Sequence, residues 1–274
     1  MTFSRYLVLH VPPLVLGAAI VFISVALTIT GLLIVRRFVS HEHLKPHNDV
    51  AGFFFGTVGV IYAVLLAFTV IVVWGNFDKA KINVDMEGSC IAALFRNISQ
   101  LDRSFAEKSF PVVLEYVNAT ITYDWEATSR GEISPRMFDM QTRLWTVIGS
   151  YSPKTKNEEV FFNTAVEKLN QLCEVRRMRL LASRAGIDGA LWCVLIIGGI
   201  ITVVFTFFFG LQNLKIQIIM TAFLTALISL ILFTVLEFNY PFSGDLSISP
   251  QPIKNNLYFF QDLPRSGQEQ LIKP

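Results

Sequence analysis

Residues 51–74 read AGFFFGTVGVIYAVLLAFTVIVVW, 24 residues without one Asp, Glu, Lys or Arg. A helix needs about 20 apolar residues to cross the hydrocarbon core of a bilayer. One Arg or Lys at mid-membrane costs roughly 2.5–3.5 kcal/mol on insertion scales, so this window reads as a membrane span. Working outward, residues 14–35, 189–211 and 216–236 are equally free of charge. Buried helices of soluble proteins rarely run so long without one. The four windows exclude a soluble enzyme, a disordered chain and a disulfide scaffold.

The charges lie elsewhere. Of 44 formal charges in 274 residues, 29 fall in residues 76–186. The net charge of +2 is too balanced for a nucleic-acid binder. The chain therefore divides into four parts: residues 1–75 with spans one and two, a hydrophilic domain at 76–186, residues 187–240 with spans three and four, and a tail at 241–274. The fold class is an all-α membrane protein, with the helical domain inserted between spans two and three. The apolar start is too long for a signal peptide, since residues 6–35 carry no formal charge. It reads as a retained helix.

An even number of spans puts both termini and the domain on one face. Near the span ends, that face holds Arg5, Lys79, Lys81, Arg176, Arg177, Arg179, Arg184 and Lys254. The other holds Arg36, Arg37, Lys45 and Lys215. The positive-inside rule places the domain in the cytoplasm. The spacing of Ile91, Leu94, Phe95, Ile98, Leu101 and Phe105 predicts a helix running straight out of span two. Ser109 with Pro111 predicts a second helix. Ser134 with Pro135 predicts a third, and Asn157 before Glu158 and Glu159 caps a fourth. After Glu237 the prolines predict an irregular tail, in which NLYFFQ (256–261) is apolar enough to dock.

Span two places Gly52, Gly56, Gly59, Ala63 and Ala67 at steps of 4, 3, 4 and 4, one helix face. Gln217, Thr221, Thr225 and Ser229 form a similar stripe in span four, and Gly17, Ser24, Thr28 and Gly31 in span one. Small residues let helices pack closely, and hydroxyls bond back to their own carbonyls. The same stripe can line an aqueous path, whose narrow point would be apolar and would gate by dewetting. Both readings stay open. Asp49 and Asp78 bracket span two and would favour cations at its mouths; Arg36, Arg37 and the cluster at 176–184 would favour anions. The loop HEHLKPHND (41–49) carries His41, His43 and His47 as weak metal candidates, but their spacing matches no zinc pattern. A solvated turn before a helix cap at Asn48 or Asp49 fits better. The domain contains no His, no phosphate loop and no nucleophile beside a base, so the sequence indicates no enzyme and no cofactor.

HNDVAGF (47–53), GVIYAVLLAF (59–68) and Trp74 together resemble the signature of the bestrophin-like bacterial family of four-span proteins. Glu87 to Leu94 with Arg96, Asp124-Trp125, Arg177 to Leu180 and PFSGD (241–245) continue the match. The resemblance implies a pentameric ion channel of the bacterial inner membrane, in contact with lipid and inorganic ions, with its pore along span two. The candidate pore residues it implies, with those of the small-residue face, are Phe53, Phe54, Gly56, Thr57, Gly59, Tyr62, Ala63 and Ala67. The acidic cluster that clasps calcium in animal bestrophins is reduced here to Glu237 and Asp245. The alternative function is a non-conducting scaffold or sensor whose helical domain binds a partner.

Overall fold

A computed structural model describes residues 2–261, except for the side chains of His41 and residues 258–261. Among the described residues every regular element is helical. A short helix α1 (Phe3–His10) leads into α2 (Pro13–Phe38), the first span, which opens on a proline whose absent N–H costs nothing at a helix start. A turn α3 (His41–Leu44) and a 3₁₀ turn (Lys45–His47) feed α4 (Asn48–Ile98). The hydrophilic helices follow: α5 (Arg103–Ala119), a π turn (Thr120–Asp124), α6 (Trp125–Ser129), α7 (Pro135–Gly149) and α8 (Lys156–Arg184). Then come α9 (Gly189–Phe205), a 3₁₀ turn (Thr206–Phe208), α10 (Leu214–Phe238) and α11 (Gln251–Gln261). Helices α2, α4, α9 and α10 are long and apolar enough to cross a membrane.

The second span continues unbroken for 51 residues into the aqueous part. No glycine pair or proline interrupts it, and its buried face stays in phase throughout. Tyr62, Leu66, Thr69 and Val73 face the other spans; Val84, Ile91, Leu94 and Ile98 face α8 and α5. The aqueous core is one apolar cluster, built from Ile91, Leu94, Val113, Val117, Leu144, Leu169 and Leu172 among others.

Three helix starts differ from the expectation drawn from sequence. Helix α5 begins at Arg103, and Pro111 lies inside it rather than at its head. The ring removes one backbone hydrogen bond. The burial of Phe105, Val112, Val113 and Tyr116 on the same helix holds it in place. Helix α8 is capped by Thr155, not Asn157. Thr155 Oγ1 accepts from the Glu158 N–H at 3.2 Å, and the Glu158 carboxylate accepts from the Lys154 N–H at 2.8 Å. That is the reciprocal logic of a capping box. Asn48 begins α4 but does not cap it; its side chain reaches instead to Gly210. The tail is not irregular throughout, because α11 lies on α4 and α5. Ile253 is buried there, and Asn256 donates to the Gly88 carbonyl at 2.8 Å. Leu257 packs against the aqueous core, and the rest of NLYFFQ with residues 262–274 lies outside the described side chains.

Candidate functional site

Span two carries the candidate site, and its two sides differ in chemistry. Toward the subunit, the Tyr62 ring lies flat on span three. A methyl group built on Gly198 would sit 2.8 Å from the ring, and one on Gly199 would sit 2.8 Å from the hydroxyl. The hydroxyl donates to the Leu195 carbonyl at 3.0 Å. Tyr62 therefore holds spans two and three together, and only 5% of it is exposed, although it borders the same groove as Gly59, Ala63 and Ala67.

The opposite side of the helix is uncovered. Phe53, Phe54, Gly56, Thr57, Ala63 and Ala67 are all exposed on the isolated chain. A methyl group added at Gly56 or Gly59 would meet nothing within 4 Å. Thr57 turns its hydroxyl back to the Phe53 carbonyl at 3.2 Å. Gly59, Ala63 and Ala67 form one wall of an apolar groove of about 710 Å³, closed on the other side by Leu224, Leu227 and Ile231 of span four.

The other small-residue stripes are used inside the subunit. A methyl group on Gly17 would lie 2.9 Å from Phe233, and one on Gly31 would lie 3.1 Å from Phe207. In span four Gln217, Thr221, Thr225 and Ser229 are buried. Thr225 donates to the Thr221 carbonyl at 2.8 Å, and Thr221 donates to the Thr206 hydroxyl at 3.2 Å. Those stripes pack helices; Gly56 and Gly59 of span two do not, within one chain.

The charges expected at the mouths divide in the same way. Asp49, Asp78 and Arg37 are exposed. Arg36 is half-buried and turned onto the hairpin between spans three and four. Its Nε donates to Gln217 Oε1 at 2.8 Å, and its Nη2 donates to the same oxygen and to the Leu211 carbonyl. Gln217 passes the bond on to the carbonyls of Thr206 and Phe209, at 3.0 and 3.1 Å. Arg36 thus ties the first span to the hairpin rather than standing free. His43 and His47 are exposed, and His41 falls outside the described side chains. No group of three metal-ligating residues occurs among the described residues.

The basic cluster at 176–184 is corrected by the structure. Arg177 and Arg184 are exposed, but Arg176 and Arg179 are buried in an ion network that sequence reasoning does not foresee. Arg176 makes two bonds of 2.8 Å to Asp124. Arg179 bonds Glu87 at 2.7 and 3.1 Å, Asp124 at 2.8 Å and the Thr128 hydroxyl at 2.7 Å. Two guanidinium groups balance two carboxylates, so the network carries no net charge. Burial pushes the Asp124 carboxyl up, but the bonds and charges of Arg176 and Arg179 outweigh it and hold the group below the ordinary carboxylate value. For Arg179, burial pulls down and the two carboxylates pull up harder, so its value rises.

No curated protein matches the sequence. A bacterial bestrophin homologue from Klebsiella pneumoniae, solved by zinc anomalous phasing, has a similar structure. Its TM-score is 0.61 at 13% identity, over 92% of this chain and 99% of that one. A mutant of the Klebsiella pneumoniae homologue gives 0.63 at 13% identity, with the same coverage. A crystal structure described only as a membrane protein gives 0.61 at 16% identity, over 90% of this chain and 98% of that one. At such identities these likenesses establish the fold alone. The sequence itself matches the model of the bestrophin-like domain over residues 22–253. With that match across most of its length, the chain belongs to the bestrophin-like family.

Proposed function

We propose that the chain is the subunit of a homo-oligomeric ion channel whose conduction path runs along span two. The observation that carries this reading is the open face of α4, where Gly56 and Gly59 have no neighbour within 4 Å of an added methyl group. Glycines inside a membrane helix are otherwise used to bring another helix close. Here nothing in the same chain approaches them. Copies arranged about an axis would cover part of this face and turn the rest toward the axis. The known members of the family are ion channels, which favours the conducting reading over a scaffold.

Within that ring, Phe53, Gly56, Thr57, Ala63 and Ala67 are the residues nearest the path, with Phe54 and Gly59 at its flanks. The set contains no ionisable group, so the narrow part would control water and ion entry by its diameter and apolarity. Asp49 stands at one mouth and Asp78 at the other. Residues 76–186 would surround a vestibule on the cytoplasmic side of a bacterial inner membrane, with both termini on that side. The ion network of Glu87, Asp124, Arg176 and Arg179 would hold α8 rigidly against the extension of the pore helix.

The experiment is ion flux from liposomes containing the purified chain, paired with electron microscopy of the detergent-solubilised particle. A ring with an axial opening and ion flux that falls on changing Thr57 supports the channel. A sealed membrane under all ions and voltages, with a monomer or two-fold dimer, favours the scaffold.

A further inference from the structure

Where spans two, three and four meet the aqueous helices, the chain encloses a pocket of about 410 Å³. Its wall changes character along its depth. On the membrane side it is formed by Val72, Leu191 and Phe238. On the aqueous side α4 contributes Asn76, Lys79 and Asn83, one face of that helix, none of which makes a side-chain hydrogen bond or ion pair among the described residues. The opposite wall carries Asn239 and Asp188.

Asn239 is the informative residue. Only 6% of it is exposed, and its carbonyl oxygen accepts from the Ile187 N–H at 2.6 Å. That bond fixes the amide of this pocket-lining residue, and its NH₂ group makes no hydrogen bond among the described residues. Asp188 uses one carboxylate oxygen to cap α9 through the Ala190 N–H at 2.8 Å, leaving the second free. The pocket thus offers one cation, one anion and three amides directly above an apolar slot, at the depth of the lipid headgroups.

We infer that this pocket holds one phospholipid with an ammonium-bearing headgroup, of the phosphatidylethanolamine class, from the leaflet on the domain's side. The phosphate takes Lys79 and the amide donors. The ammonium takes the free oxygen of Asp188, and an acyl chain lies along Val72, Leu191 and Phe238. A purely anionic headgroup would satisfy Lys79 but meet repulsion from Asp188. A choline headgroup has no N–H to give to the carboxylate. The inference rests on the four spans and not on conduction, so a failed flux experiment leaves it standing.

The test is native mass spectrometry of the full chain in detergent, titrated with dioleoyl phosphatidylethanolamine, phosphatidylglycerol and phosphatidylcholine. The wild type retains the ethanolamine lipid preferentially. Lys79→Ala, or Lys79→Gln if the shorter side chain disturbs folding, lowers retention about fivefold, the size of one lysine's attraction to a phosphate-rich surface. Asp188→Asn keeps a capping oxygen and removes the preference over the glycerol lipid. Equal retention of the three lipids, retention unchanged at Lys79, or no lipid retained because a neighbouring copy fills the pocket would each overturn the proposal. Binding of soluble glycerophosphoethanolamine as tight as that of the lipid would overturn the acyl slot.

Discussion

Arg179 and Glu87, 92 residues apart, meet side by side with no exposed surface on either. Nε lies 2.7 Å from Oε2 and Nη2 lies 3.1 Å from Oε1. This pair and its extension through Asp124 join α4, α8 and the end of the π turn at one point. Buried ion pairs repay their desolvation poorly, but removing one partner strands the other charge and costs about 3–5 kcal/mol. Glu87→Ala should therefore lower the apparent melting temperature in detergent far more than Glu107→Ala, whose partner Arg103 is solvent-exposed. Equal shifts in the two variants would refute the assignment.

The same network sets a pH dependence. Asp124 is held below its ordinary value, so its contribution is complete above the unfolded value of about 3.9 and is lost as pH falls through the lower folded value. The wild type should lose thermal stability below about pH 4. Asp124→Asn should be less stable at neutral pH and show a shallower loss in the acid range. Melting curves between about pH 2.5 and 7 measure both.

Gly88 is the seat of the tail helix. A methyl group there would lie 2.7 Å from the Pro252 carbonyl oxygen, a backbone atom that cannot swing away. Gly88→Ala should lift α11 and cost about 1–3 kcal/mol, with faster protease cleavage near residue 250. Gly56→Ala, which meets no atom, should leave both unchanged.

Thr57 and Tyr62 separate path from packing. Thr57→Val should alter ion flux without changing assembly, because its side chain is on the open face. Tyr62→Phe should cost about 1 kcal/mol of stability through the lost bond to Leu195 and leave ion preference alone. A change of selectivity at Tyr62 would contradict the placement given above.

Topology is best read with introduced thiols, because Cys90 is buried and labels poorly from either side. Lys45→Cys should react with an impermeant maleimide in intact cells, and Lys154→Cys only after permeabilisation. The reverse pattern would invert the proposed orientation.

The spans are legible in the sequence because apolarity sustained over a full helix length suits little besides lipid. The direct continuation of span two is legible for a related reason: no proline between Trp74 and Ile91 breaks the helix. What stays hidden depends on partners distant in sequence. Glu87 lies on the same face as Ile91 and Leu94, and Arg176 and Arg179 continue the face of Leu169 and Leu172. Charges in phase with an apolar stripe are the available signal, yet by composition alone they resemble a solvated face and a basic cluster. Asp124 is harder to place, because it closes a π turn whose extra residue no periodicity reveals. Tyr62 stands beside Ala63 in sequence and so groups with the pore face, although it points toward span three. The tail helix cannot be foreseen from its prolines, since its contact is a glycine on another helix.

Helix α4 has one further implication. At 1.5 Å per residue its 51 residues measure about 75 Å, more than twice the hydrocarbon thickness of a bilayer. Without a hinge, such a rod works as a lever. A tilt of about 5° at one end carries the other end about 6 Å, so a small event at one end of the rod can be felt at the far end without any local unfolding.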